Sequence, residues 1–196
     1  MNQKVQKHNF FFFFLPTILI TSCVNTYSPK PRGYYRIDFP VKQYMAYSSS
    51  NCPYTFEIPV YAEAHPDSSS KAEPCWMNIV FPAYKGCIHL SYKKIKGNLS
   101  EYIEDSRTFA YKHTVKADAI EERILHYADR QVYGILYDIK GNAASSVQFF
   151  VTDSTMHFIR GALYFSCTPN KDSLSPVIHF FREDIVHLLE TLQWKQ

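Results

Sequence analysis

From residue 54 onward, apolar and polar positions alternate in short runs. Tyr54, Phe56 and Ile58 alternate with Thr55 and Glu57 up to Pro59, and Trp76 to Phe81 ends at Pro82. Gly86 to Lys93 puts Ile88, Leu90 and Tyr92 on one face and Cys87, His89 and Ser91 on the other. Period two predicts a strand in each. The intervening His65-Pro66-Asp67-Ser68-Ser69-Ser70 reads as a turn. The spacing then becomes helical: Leu99, Tyr102, Ile103, Ser106, Phe109, Ala110 and His113 form one stripe, with Asn98 as its N-cap. Glu101, Glu104 and Asp105 fall early and Lys112 and Lys116 late, as the helix dipole prefers. Ile120–Tyr127, Val132–Ile139, Val147–Thr152 and His157–Phe165 read as strands joined by short turns at Asp129-Arg130, Gly141-Asn142 and Asp153-Ser154. Such turns predict an antiparallel meander. Ser175-Pro176 is predicted to open a last helix, with Pro at its first position and a stripe of Val177, Ile178, Phe181, Ile185, Leu188, Leu189 and Leu192. Strands followed by a helix, twice over, predict an α+β fold: a largely antiparallel sheet of about seven strands covered by two main helices.

That order of elements is similar to the PsbP/Mog1-type α/β/α sandwiches, a likeness that says nothing about activity. Ahead of it the chain changes character. Lys4 and Lys7 precede an apolar run from Phe10 to Ile20, followed by Thr21, Ser22 and Cys23. A basic start, 11 apolar residues and a small-residue exit make an export signal, too short for a spanning helix of about 20 residues. Ile20-Thr21-Ser22-Cys23 is a lipobox, so residues 1–22 are expected to be removed and Cys23 to carry a diacylglycerol. At about 0.8 kcal/mol per buried CH₂, two or more acyl chains anchor a protein stably. Val24-Asn25-Thr26-Tyr27 has no acidic residue after the lipidated Cys. By analogy with known sorting signals this favours a domain facing the periplasm from the outer membrane. Residues 23–51, rich in Pro, Ser and Tyr, read as anchor and tether, and 52–196 as one domain.

Charge removes one class of function. Of 21 Lys and Arg, two leave with the signal, so 19 face 18 Asp and Glu and the mature chain is near neutral, at +1. Nucleic-acid binding by charge is thereby excluded. An aromatic content of 16% argues equally against a disordered chain.

Candidate chemistry is sparse. Beyond Cys23, four Cys (Cys52, Cys75, Cys87 and Cys167) allow three pairings in an oxidising compartment. Cys52 and Cys75 flank the irregular segment between the first two strands, and a bridge between them would staple it. Cys87 and Cys167 read as small buried apolar residues within strands. Cys87-x-His89 is the one close pair of metal-ligating types, so neither metal nor cofactor is expected. No G-x-S-x-G elbow or Gly-rich phosphate loop occurs, and Glu121-Glu122 and Glu183-Asp184 read as solvated acid pairs. His113 closes a helix stripe, with Asp118 five residues on to orient it. The expectation is a protein that is not an enzyme.

Several long segments resemble a known family. They are Pro29-Lys30-Pro31-Arg32-Gly33-Tyr34-Tyr35-Arg36-Ile37-Asp38-Phe39-Pro40, Lys85 to Lys93, Glu104 to Arg107, Ala110 to Ile120, Tyr137 to Ser146, Arg160 to Phe165 and Pro169 to Leu174. In these the chain resembles the GldD family of gliding-motility lipoproteins of Bacteroidota, essentially along the whole mature length. The resemblance implies a role in gliding motility, tied to type IX protein secretion, with other envelope proteins of that machinery as partners. It brings no catalytic residues. Tyr34, Tyr35, Arg36 and Phe39 are candidate partner contacts, since Tyr and Arg are favoured interface anchors; the same side chains could instead lie on their own domain. A second reading is a periplasmic small-ligand or lipid-binding module, its cleft lined by Phe149, Phe150, Phe165, Phe180 and Phe181 or else those rings forming an ordinary core.

Overall fold

In the computed structural model, which describes residues 36–195, the alternating segments lie in strands. The order is β1 (Tyr44–Ser48), β2 (Tyr54–Pro59), β3 (Glu63–Pro66), β4 (Met77–Phe81), β5 (Gly86–Lys94), α1 (Leu99–Tyr111), β6 (Ala117–Tyr127), β7 (Val132–Gly141), β8 (Ser145–Thr152), β9 (His157–Phe165), α2 (Lys171–Thr191) and β10 (Gln193–Trp194). Seven strands form one sheet in the order β3-β4-β5-β9-β8-β7-β6, and β1-β2-β10 form a second. Every pairing is antiparallel. The fold is α+β.

Burial follows the pleat. On β8, Val147, Phe149 and Val151 join the larger core with Phe181, Ile185, Leu188 and Leu189 of α2 and Tyr54, Phe56 and Ile58 of β2. Phe150, on the opposite face, joins a smaller core with Ala110, Tyr102 and Ile103 of α1. A strand covered on both faces loses its alternation, and every residue of β8 is buried. Gly161 of β9 lies opposite Phe149, and a Cβ there would meet the ring at 2.1 Å. Gly161→Ala is therefore expected to destabilise by about 1–3 kcal/mol through overpacking. An unchanged urea midpoint would contradict this packing.

Several boundaries differ from the sequence reading. The tether assignment of 23–51 does not hold for its second part: β1 pairs with β2 from Tyr44↔Pro59 to Ser48↔Thr55. The turn-like His65-Pro66 lies in β3, an edge strand, where Pro is tolerated because its missing N–H faces no neighbour. Asn98 does not cap α1 with its side chain; its Oδ1 accepts instead from the Lys96 N–H at 2.9 Å. Lys112, His113 and Lys116 lie beyond that helix, at a following 3-10 turn. The last helix opens five residues before Pro176, capped by Asn170, whose side chain accepts from the Ser173 N–H at 3.3 Å. Pro176 is then inside the helix, where it forgoes one hydrogen bond. Cys167 is exposed and past the end of β9, and Cys87 is half-buried; neither is a core residue.

Candidate functional site

α2 carries an acid on its apolar stripe. Val177, Phe181, Asp184 and Leu188 recur at helical spacing, so Asp184 faces inward and is 1% exposed. A buried carboxylate needs donors, and the segment before β1, the start of β1 and the residues after β2 supply one each. Lys42 Nζ lies 2.7 Å from Asp184 Oδ1 and donates to the Phe180 carbonyl at 2.8 Å. Tyr44 Oη donates to Oδ1 at 2.9 Å, and Tyr61 Oη to Oδ2 at 2.6 Å. Burial, then the Asp184 carboxylate, pushes both phenols well above the ordinary tyrosine value. Both hydroxyls therefore remain donors at any physiological pH.

Aromatic contacts complete the docking. Phe39 stacks on Phe180 with ring centroids 4.4 Å apart, Tyr84 lies 5.8 Å beyond it, and Tyr44 stacks on His187 at 3.6 Å. Lys42 also sits 4.0 Å from the Phe180 centroid. Residues 37–48 are thus a strap laid along α2 and the small sheet. The reading of Glu183-Asp184 as a solvated pair holds for Glu183 alone; its neighbour is the strap's anchor point.

The candidate contact residues separate on this geometry. Phe39 is half-buried and stacks on its own domain. Arg36 is exposed, paired with Asp38 at 2.8 Å. Tyr34, Tyr35 and Cys23, the expected lipidation residue, lie outside the described residues. Cys52 and Cys75 are joined as a disulfide with Cα atoms 5.5 Å apart. Phe149, Phe150 and Phe181 are buried, and the first two face opposite cores, so no single cleft is lined by them.

The α1-facing side of the sheet has a polar half. Asn78, His89, Ala162, Gln148, Tyr137 and Glu122 form one cross-strand row from β4 to β6. His89 Nδ1 and Asn78 Oδ1 are 2.6 Å apart, while Cys87 Sγ is 3.8 Å from that nitrogen. Burial pushes the Cys87 thiol up to about 11 and pulls His89 below its usual value. A protonated thiol beside a neutral imidazole is not an activated nucleophile. Asp118 pairs with Lys171 at 2.7 Å rather than orienting His113. Among the described residues, no group of three or more His, Cys, Asp or Glu is placed to hold a metal ion, and no helix is long and apolar enough to cross a membrane.

Three histidines set a pH dependence. Burial lowers His89, His113 and His157 from 6.5; Asp67 opposes this at His89, and Asp153 at His157. Arg160 lowers His113 further, as Lys94 does His157. Below about pH 6.5 the unfolded chain takes up protons that the folded chain does not, so stability falls as pH falls. The urea midpoint is expected to be lower at about pH 5.5 than at about pH 7.5. A midpoint that is level or higher at the acid end would contradict this.

Comparison with known proteins gives a family and a likeness of fold. The model of a family described as gliding motility lipoprotein GldD matches residues 24–194. No curated protein matches the chain. Among solved structures, the chain is similar to the solution structure of cyanobacterial PsbP (CyanoP) from Synechocystis sp. PCC 6803, at 10% identity and a TM-score of 0.49. That likeness covers 82% of this chain and 97% of the other.

Proposed function

The chain belongs to the gliding motility lipoprotein GldD family, and from that premise we propose that it is a lipid-anchored, non-catalytic assembly component of the envelope machinery that couples gliding to type IX secretion. Acylated Cys23 holds it on the membrane, with the domain in the periplasm and the outer membrane as its support. Its partners are other envelope proteins of that machinery.

The strap carries the reading. Between Cys23 and Arg36 there are 13 residues of reach, at most about 45 Å of extended chain. A tether running to residue 51 would have allowed about twice that. Because residues 37–48 are bound to the domain through Asp184, Phe180 and β2, the domain works close to its lipid surface. Val41, Met45 and Val60 are exposed apolar side chains on or beside the same strap. Arg36 and its neighbours Tyr34 and Tyr35, at the point where the anchor joins, are the proposed partner contact.

The anchor is tested by complementing a deletion strain with Cys23→Ala at matched protein level. Loss of the protein from the membrane fraction together with loss of colony spreading is expected. Normal spreading driven by an unanchored protein would refute the proposal.

A further inference from the structure

Arg160 of β9 is half-buried on the α1-facing side of the sheet. Its guanidinium donates from Nη2 to Gln148 Oε1 at 2.8 Å, lies 4.5 Å from the Phe109 centroid and has the Tyr164 side chain nearby. All three neighbours are neutral. Among the described residues no carboxylate lies in ion-pair range of Arg160, whereas Arg182, the comparable cation on α2, is clasped by both oxygens of Asp138 at 2.6 and 2.7 Å. A desolvated guanidinium has five donors and stays charged, so neutral dipoles leave it short of an anion. Burial pulls its pKa below the ordinary arginine value, the expected sign for a cation lacking a counter-charge. Gln148 is 2% exposed, turns its oxygen toward Arg160 and leaves its Nε2 with no hydrogen-bond partner among the described residues.

Arg160 also forms part of a cavity of about 270 Å³ between α1 and the sheet. Trp76, Tyr102, Phe109 and Phe158 make most of its wall apolar. Three other polar groups on the wall are already satisfied: Ser106 donates to the Tyr102 carbonyl, the Trp76 indole to the Tyr92 carbonyl, and Lys93 is paired with Glu73. Asp105 also borders the cavity and opposes an anion there, but it is on the exposed side of α1, where solvent screens its charge more than that of the half-buried Arg160. A cavity of about 150 Å³ accepts benzene, so this one has room for an aromatic ring with a short tail.

We infer that this cavity binds a small carboxylate carrying an aromatic or aliphatic body, its carboxylate on Arg160 and its body against Phe109, Tyr102 and Phe158. The arrangement is the usual one for a small-molecule site: apolar walls with one placed charge. It is independent of the motility reading, and failure of either leaves the other standing.

Calorimetric titration of the full chain in detergent with 3-phenylpropionate tests it, with 3-phenylpropanamide as the uncharged control of the same shape. Saturable binding of the carboxylate, millimolar or tighter, and at least about tenfold weaker binding of the amide are expected. Arg160→Lys keeps the charge but loses the planar fork, and should weaken the carboxylate about tenfold. Phe109→Ala alters an exposed helix position, spares folding and should also weaken it. Absence of saturable binding by the carboxylate, or equal binding of acid and amide to the unmodified chain, would overturn the inference.

Discussion

Asp184→Ala is expected to destabilise the domain by about 3–5 kcal/mol, because it removes one partner from a buried charged cluster and strands the others. Lys42 loses its contact at 2.7 Å and keeps the Phe180 carbonyl at 2.8 Å and Glu183 at 3.3 Å, while the Tyr44 and Tyr61 hydroxyls lose their acceptor. Lys42 is 25% exposed and regains some water, which places the loss toward the lower end of that range. Asp184→Asn retains an acceptor oxygen and the shape of the side chain, and should lose less. The strap should also come free, so trypsin should cut after Lys42 faster in the Ala variant than in the parent. A loss under about 1 kcal/mol, with unchanged cleavage, would mean the strap is held by its aromatic contacts and not by the carboxylate.

Removing the Cys52–Cys75 disulfide should have an effect of similar size. The bridge spans 23 residues, and closing a loop of that length restricts the unfolded chain by an amount worth about 3 kcal/mol. The closed loop contains β2 and β3 and ends just before β4, and Tyr54 Oη donates to the Cys75 carbonyl at 2.6 Å, so the native structure holds both ends in place. Cys75 also has a φ of 66°, a left-handed conformation unfavourable for a residue with a side chain. Reduction with dithiothreitol should lower the urea midpoint, and Cys52→Ala should match it. The double variant Cys52→Ala with Cys75→Ala should fall no further than either alone, since the bridge is a single unit. An unmoved midpoint with two new titratable thiols would refute this contribution.

Strands with one face on the core were legible from alternation, and β9 begins and ends where the pattern did. What was missed has little alternation to show. β1, Tyr-Met-Ala-Tyr-Ser, is largely exposed and is held in place by pairing to β2 and by the Tyr44 side chain, its ring on His187 and its hydroxyl on Asp184, partners distant in sequence. β3 is four residues ending in Pro66, a pattern that a turn shares. Asp184 did carry a local signal: an acid three residues after Phe181 and four before Leu188 lies on the buried stripe. Its exposed neighbour Glu183 drew the pair toward a surface reading, although adjacent helix residues face different ways. Arg160 had no sequence signal at all, because its want of a counter-ion exists only once β8, β9 and α1 are assembled.

The proposed function makes the chain a working part of the gliding and secretion machinery, and an in-frame deletion tests that most directly. Colony spreading and release of type IX cargo into the medium would be scored together, with the wild-type chain restored in parallel. Loss of both, recovered by the restored chain, is the predicted result. A deletion strain that spreads and secretes as the parent does would contradict the proposed function.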